Sequence, residues 1–166
     1  MHEIMKPIKL TTRLKALTVL IEDGASVADI GTDHGYLPVY LAQKGSAEHI
    51  IASDISAASL KAAQRSADKY NVTDSISFRV APGLDGINRD DVDTVIIAGL
   101  GGETIRGIIK DAPWTKSRCV TLILQPQSKV DILFRFLYDN GYEIKKVIYV
   151  FDANKRYTII WCHGIF

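Results

Sequence analysis

The chain has 166 residues, is 47% hydrophobic and 23% charged, and carries a formal net charge of +1. That is enough for one domain with a sizeable core, and it excludes a disordered chain or two ordinary domains. A near-neutral total gives no overall electrostatic argument for nucleic acid, and no apolar run approaches the length of a membrane span.

The opening residues, MHEIMKPIK, are short and mixed and read as a local arm. Thr12 is placed to cap a helix whose Leu14, Leu17 and Ile21 share one face and which Gly24 ends. Val27 to Ile30 is the first strand, and 36–44 a helix that tolerates Pro38 in its first turn. Strands are expected at 49–55, 75–80, 93–99 and 119–125, with helices at 57–70 and 103–110 and a further one capped by Ser128. Two final strands, YEIKKVIYVF and RYTIIWCHGIF, are joined by DANK, a hairpin signal. Strands linked by helices imply an α/β fold, with five parallel strands, helices on both faces and an antiparallel hairpin at one edge. A ligand then belongs at the carboxyl ends of the first, second and fourth strands. The two cysteines, Cys119 and Cys162, lie in apolar runs with no CxxC pair or signal peptide, which points to reduced, buried thiols in the cytoplasm.

The informative stretch is VADIGTDHGYLP, 27–38. It lacks the G-x-G-x-x-G dinucleotide fingerprint and presents Asp29-x-Gly31-x-Asp33-x-Gly35 instead. The glycines allow a tight turn, but Asp33 opposes a pyrophosphate electrostatically, which speaks against a nicotinamide dehydrogenase. A ligand with a nucleoside at one end and cations at the other fits better, and S-adenosylmethionine is one. Asp54 ends the second strand roughly 20 residues after the turn, where a carboxylate reaches ribose hydroxyls. Read singly, Asp29, Asp33 and Asp54 serve equally well as caps; together they favour the nucleoside. His34 alone reads as a structural histidine, with no Ser or Cys beside it to form a dyad. No metal-ligand spacing is present. IIAGLGGET (96–104) brings glycines to the same edge, where an acceptor would lie, and Gln125 of LQPQ can meet a base edge or serve the structure. Lys6, Lys9, Arg13 and Lys15 cluster near the expected mouth, whereas Lys61, Arg65 and Lys69 stripe one helix face; of the two, the N-terminal cluster is the better placed for RNA.

On TTRL, DIGTDHGYLP, AGLGG, LILQP, NGYEI and RYTII, spread over nearly the whole chain, the sequence resembles the bacterial tRNA (adenine-22-N1)-methyltransferase family, TrmK. The resemblance implies a Rossmann-like class I methyltransferase sheet and transfer of a methyl group from S-adenosylmethionine to N1 of a tRNA adenine. A single methyltransferase domain over 1–166 is expected, and a monomer is favoured; the family's C-terminal helical extension has no counterpart after Phe166, so either the chain is truncated or the protein lacks that arm. By motif position, Asp29, Gly31, Asp33 and Asp54 would face the cofactor and Gly99 would border it; His34, Gly35, Ile55, Gly83 and Leu84 are expected in the same cofactor site. Gly101 and Gly102 would border the target base, and Thr12 and Arg13 the mouth of the site. From their own chemistry Tyr36 and Gln125 are candidates to meet that base, and Asp33 is the candidate catalytic carboxylate because the methylated base gains positive charge. The chain departs from the family at three positions. Ala81-Pro82-Gly83-Leu84 stands where the family has Gly-Asp-Gly-Leu, whose aspartate holds the adenine amino group; Leu100 replaces a methionine, and Gln127 an asparagine. The competing readings are a non-catalytic S-adenosylmethionine- or RNA-binding module and a methyltransferase with a small-molecule or protein acceptor.

Overall fold

The computed structural model describes residues 5–166, so the first half of the opening arm lies outside the described residues. The elements are α1 (Thr12–Thr18), β1 (Ala25–Ile30), α2 (Tyr36–Lys44), β2 (Ala47–Asp54), α3 (Ala57–Lys69), β3 (Ser77–Val80), β4 (Thr94–Leu100), α4 (Gly102–Lys110), β5 (Thr121–Pro126), α5 (Val130–Asp139), β6 (Tyr142–Asp152) and β7 (Lys155–Gly164). They form one seven-stranded sheet in the order β3-β2-β1-β4-β5-β7-β6. β1 to β5 are mutually parallel, and β7 runs antiparallel to both β5 and β6. This is the expected Rossmann-like arrangement. Among the described residues no helix is long and apolar enough to cross a membrane.

The period of two in the central strands decides which core each side chain joins. Ala28, Leu122 and Leu124 point to the layer of α4 and α5, where Ile105, Ile109, Leu133 and Leu137 are fully buried. Val27 and Ile123 point the other way, to Leu17, Leu37, Leu41 and Ala67 of α1, α2 and α3. Asp29, two residues after Val27, therefore lies on the α1 side of the sheet. The chain turns outward through β2 and β3 and returns at β4, which opens a crevice between the carboxyl ends of β1 and β4.

Local details differ from the sequence reading. Thr11, in extended backbone, caps α1 and accepts from the Leu14 N–H at 3.3 Å, in place of Thr12. The helix ends at Thr18 instead of near Gly24: the Thr18 hydroxyl bonds back to the Lys15 carbonyl at 2.6 Å, and the β-branched Thr18-Val19 pair leads into turns of i to i+3 type. Ser128 does not cap α5. Its carbonyl accepts the Gly102 N–H at 2.7 Å, and Lys129 takes the N-cap position with a φ of 53°. Cys119 is exposed, not buried, whereas Cys162 is buried and its thiol is pushed up to about 12 by desolvation.

Gly35 shows why the turn needs glycine. Its φ is 69°, and a Cβ there would stand 2.7 Å from the Ala63 Cβ of α3. Gly35→Ala is expected to destabilise the fold by roughly 2 kcal/mol, combining left-handed strain with overpacking. Chemical denaturation checks this, and an unchanged midpoint would contradict it.

Candidate functional site

At the carboxyl end of β1 the backbone is folded back hard. Gly31 and Asp33 have φ values of 72° and 54°. The N–H groups of Gly31 and Thr32 both donate to the Ser53 carbonyl, at 2.9 and 3.0 Å. The Asp33 N–H then donates to Asp54 Oδ2 at 3.0 Å, and the Ser56 N–H to Oδ1 at 2.9 Å. Asp54 thus clamps the β1 turn to the start of α3. Each of its oxygens retains acceptor capacity, since an ionised carboxylate offers about four lone-pair sites.

Asp29 lies beneath the turn, 6% exposed, and accepts from the Thr32 hydroxyl at 2.8 Å. Burial raises its pKa to about 6; the Thr32 bond opposes that, the Asp54 charge adds to it, and the Arg13 charge lowers it. Arg13 is held at three points. Its backbone N–H donates to Asp152 Oδ2 at 3.0 Å, its Nη1 donates to Gln125 Oε1 at 2.8 Å, and its guanidinium lies 5.7 Å from the Tyr157 ring centre.

These groups border a cavity of about 750 Å³, within the range of small-molecule and cofactor sites. Of the residues singled out in the sequence, Arg13, Asp29, Gly31, Asp33, His34, Tyr36, Asp54, Ile55, Gly83 and Gly99 line it. His34 and Tyr36 stack at its rim with ring centres 5.4 Å apart, and Ile55 is 73% exposed. Among the described residues its ionic lining is three carboxylates, Asp29, Asp33 and Asp54, against the guanidinium of Arg13. An acidic hollow of this kind suits a cationic ligand and repels a diphosphate.

The other expected residues lie off the cavity wall. Thr12 is on α1 but the wall is formed by its neighbour Thr11. Gly35 packs on α3. Leu84 is buried in the core and borders a smaller neighbouring hollow. Gly101 abuts the Ser128 hydroxyl, and a Cβ on Gly102 would overlap the Lys129 carbonyl, so both serve the packing of α4 against the loop before α5. Gln125 is fully buried; besides holding Arg13, its Nε2 donates to the Pro126 carbonyl at 3.1 Å and to Gln127 Oε1 at 3.3 Å. Conversely, Thr104 and Ile108 line the cavity without having been singled out. Their spacing of four on a helix starting after a glycine turn was the available signal. Lys6, Lys9 and Lys15 are exposed, as are Lys61, Arg65 and Lys69 on α3.

Comparison with known proteins identifies the frame. The methyltransferase-domain family matches residues 10–160. The tRNA (adenine(22)-N(1))-methyltransferase of Bacillus subtilis is 33% identical over 159 residues, which cover 94% of this chain and 66% of that protein. A Streptococcus pneumoniae protein solved in complex with S-adenosyl-L-methionine superposes with a TM-score of 0.87 at 30% identity, covering 94% of this chain and 73% of that one. Mycoplasma capricolum TrmK, solved with S-adenosyl-homocysteine, gives a TM-score of 0.83 at 29% identity, covering 94% and 69%. The chain spans 60% to 66% of the length of the curated relatives it matches. With the fold, the acidic turn and these likenesses in agreement, the chain belongs to the methyltransferase-domain family and, within it, to the bacterial tRNA (adenine-22-N1)-methyltransferase family, TrmK.

Proposed function

We propose that the protein is an S-adenosylmethionine-dependent methyltransferase that modifies N1 of an adenine in tRNA, acting in the cytoplasm as a monomer. The observation that carries the reading is the doubly anchored Asp54 beside the buried Asp29, at a glycine turn whose carboxylates disfavour a phosphate. The residues present fit the cofactor. Asp54 has unused lone pairs for two ribose hydroxyls. Asp29, whose charge burial penalises, is completed by an ammonium. Ile55, Pro82 and Ile108 offer apolar surface for an adenine ring.

S-adenosylmethionine supplies an electrophilic methyl group on a sulfonium. The chain's own contribution is then positioning. Adenine N1 has an in-plane lone pair, so no residue has to remove a proton before attack. The methylated base gains positive charge, which the carboxylate of Asp33, at the rim of the cavity, favours electrostatically. Arg13, drawn toward Gln125 and Tyr157, keeps its charge at the edge of the cavity. Tyr36 and His34 present stacked rings to a base extruded from its helix.

Pro82 supports a second reading, a module that holds cofactor but turns over poorly. It lines the cavity and has no side-chain acceptor. The Asp85 N–H donates to its carbonyl at 3.1 Å, placing residue 82 at the start of a turn that aspartate also favours. Pro82→Asp is therefore expected to tighten S-adenosylmethionine binding about fivefold, the worth of about one added hydrogen bond. Calorimetric titration measures this, and unchanged affinity would remove the second reading's support.

The function itself is tested by incubating the protein with S-adenosylmethionine, labelled in its methyl group, and two tRNA transcripts, one with adenine and one with guanine at position 22. N1-methyladenosine in the first digest alone supports the proposal. Cofactor binding with no labelled RNA gives the binding module; label transferred to a small molecule or protein in the absence of RNA gives the other acceptor class.

A further inference from the structure

The β6–β7 hairpin reaches past the rest of the sheet. Its ladder runs from Tyr142 opposite Gly164 out to Asp152 opposite Lys155. β5 pairs with β7 only as far as Leu124 opposite Ile160, and ends two residues later at Pro126. Continuing that register puts Pro126 level with Thr158. The turn at Asn154 is four residues further on, roughly 13 Å beyond the end of β5 at strand rise. The overhang leaves the sheet on the carboxyl edge, the edge on which the cavity opens.

Its two faces differ. Ile148, Val150 and Ile159 pack on the α1 side with Leu14 and Leu17. The opposite face carries Tyr149 and Phe151, 56% and 71% exposed, with Arg156 paired directly across from Phe151. The Arg156 guanidinium lies 4.8 Å from the Tyr149 ring centre. The tip is also joined to the cavity. Asp152 accepts the Arg13 N–H, and Arg13 and Lys155 both approach the Tyr157 ring, at 5.7 and 5.4 Å. With Asp152 turned to Arg13, Lys155 and Arg156 leave the tip positive.

We propose that Tyr149, Phe151 and Arg156 form a docking surface for the RNA strand that carries the target base. Unpaired bases stack on the two rings, and a phosphate pairs with Arg156. Exposed aromatics interleaved with cations are the means by which proteins hold single-stranded segments without reading their sequence. The overhang rises on the carboxyl edge of the sheet, so a strand held on this face lies along the same edge on which the cavity opens. The inference rests on the tRNA reading above. It assigns the grip to the hairpin face, where the sequence alone pointed to the N-terminal lysines.

The test uses the full chain and a tRNA transcript. RNA affinity is measured at two salt concentrations for Phe151→Ala, Tyr149→Ala and Arg156→Gln, with S-adenosylmethionine affinity and Tm as controls. All three positions are exposed, and Phe151→Trp is added as a substitution that keeps the stacking surface. The expected result is about tenfold weaker RNA binding for each alanine variant and recovery by tryptophan. Arg156→Gln reduces the salt slope by about one. KM for tRNA rises with kcat retained, and cofactor affinity is unchanged. If the wild type binds and methylates tRNA and the variants match it, the hairpin is not the docking surface and the methyltransferase reading stands; that is also the result if this face receives another protein. If the wild type binds no tRNA, both readings fall.

Discussion

Asp54→Ala is expected to weaken S-adenosylmethionine binding at least about 100-fold, leaving the fold intact but less stable by roughly 1–2 kcal/mol. The first effect follows from losing charge-assisted bonds to the ribose, worth about 1.5–3 kcal/mol each. The second follows from the clamp. Asp54 accepts the N–H groups of Asp33 and Ser56, and without it the left-handed Asp33 loses the bond that holds it. Asp54→Asn separates the two effects. It keeps an acceptor for one N–H, so it should retain more stability than alanine while losing a comparable share of affinity. Calorimetry gives the affinities and thermal unfolding the stabilities. An Asp54→Ala protein that binds cofactor like the wild type would show the carboxylate to be a turn cap and nothing more.

Asp29→Asn has effects of opposite sign on stability and affinity. The Asp29 carboxyl titrates at about 6 in the folded chain against 3.8 for the free side chain, chiefly because it is buried. A raised folded-state value means that the native protein binds the proton more tightly than the unfolded chain does. Its contribution is therefore fully present below about pH 4 and is lost as pH rises through about 6. At pH 7 the cofactor-free protein carries a charged carboxylate that costs on the order of 3 kcal/mol. An asparagine at this position avoids that charge and can still accept from the Thr32 hydroxyl. The variant should unfold at a higher temperature than the wild type at pH 7, and the advantage should shrink toward pH 4. Its affinity for S-adenosylmethionine should fall by roughly 30-fold, the loss of one charge-assisted contact to the ammonium. In the wild type, affinity should weaken as pH drops from 7 to 5, because the proton competes with the ammonium for Asp29. A variant no more stable than the wild type at pH 7, together with a flat affinity profile, would remove Asp29 from the cofactor site.

What could be read from the sequence follows from how local each determinant is. The central parallel strands were legible because both faces are buried and their sequences are continuous apolar runs: the expected 93–99 became Thr94–Leu100, whereas the exposed edge strand expected at 75–80 shortened to Ser77–Val80. The acidic turn was legible because glycines, carboxylates and strand end are contiguous, and the joint pattern of Asp29, Asp33 and Asp54 points to one ligand class. Caps were not, because neighbouring hydroxyls compete and tertiary contacts decide: Thr11 displaced Thr12, and Ser128 gave its carbonyl to Gly102. A glycine in sequence does not say whether it makes room for a ligand or for a helix. Gly31 and Gly99 face the cavity, whereas Gly35 and Gly102 are pressed against α3 and the loop before α5. The Arg13–Gln125 pair joins residues 112 positions apart, which no spacing rule finds. The overhang is equally hidden, since Tyr149 and Phe151 read as ordinary alternation until the β5 ladder shows that β5 ends level with Tyr149 and short of Phe151.

An acidic glycine turn should select a cationic nucleoside cofactor over a pyrophosphate one, and ligand titration reads that choice without any assumption about the acceptor. The full chain is titrated calorimetrically with S-adenosylmethionine, S-adenosylhomocysteine and NAD under one buffer condition. Saturable one-to-one binding is expected for the first two, and no measurable heat of binding for NAD. Binding of NAD in preference to S-adenosylmethionine, or no binding of either sulfur-bearing ligand, would contradict it.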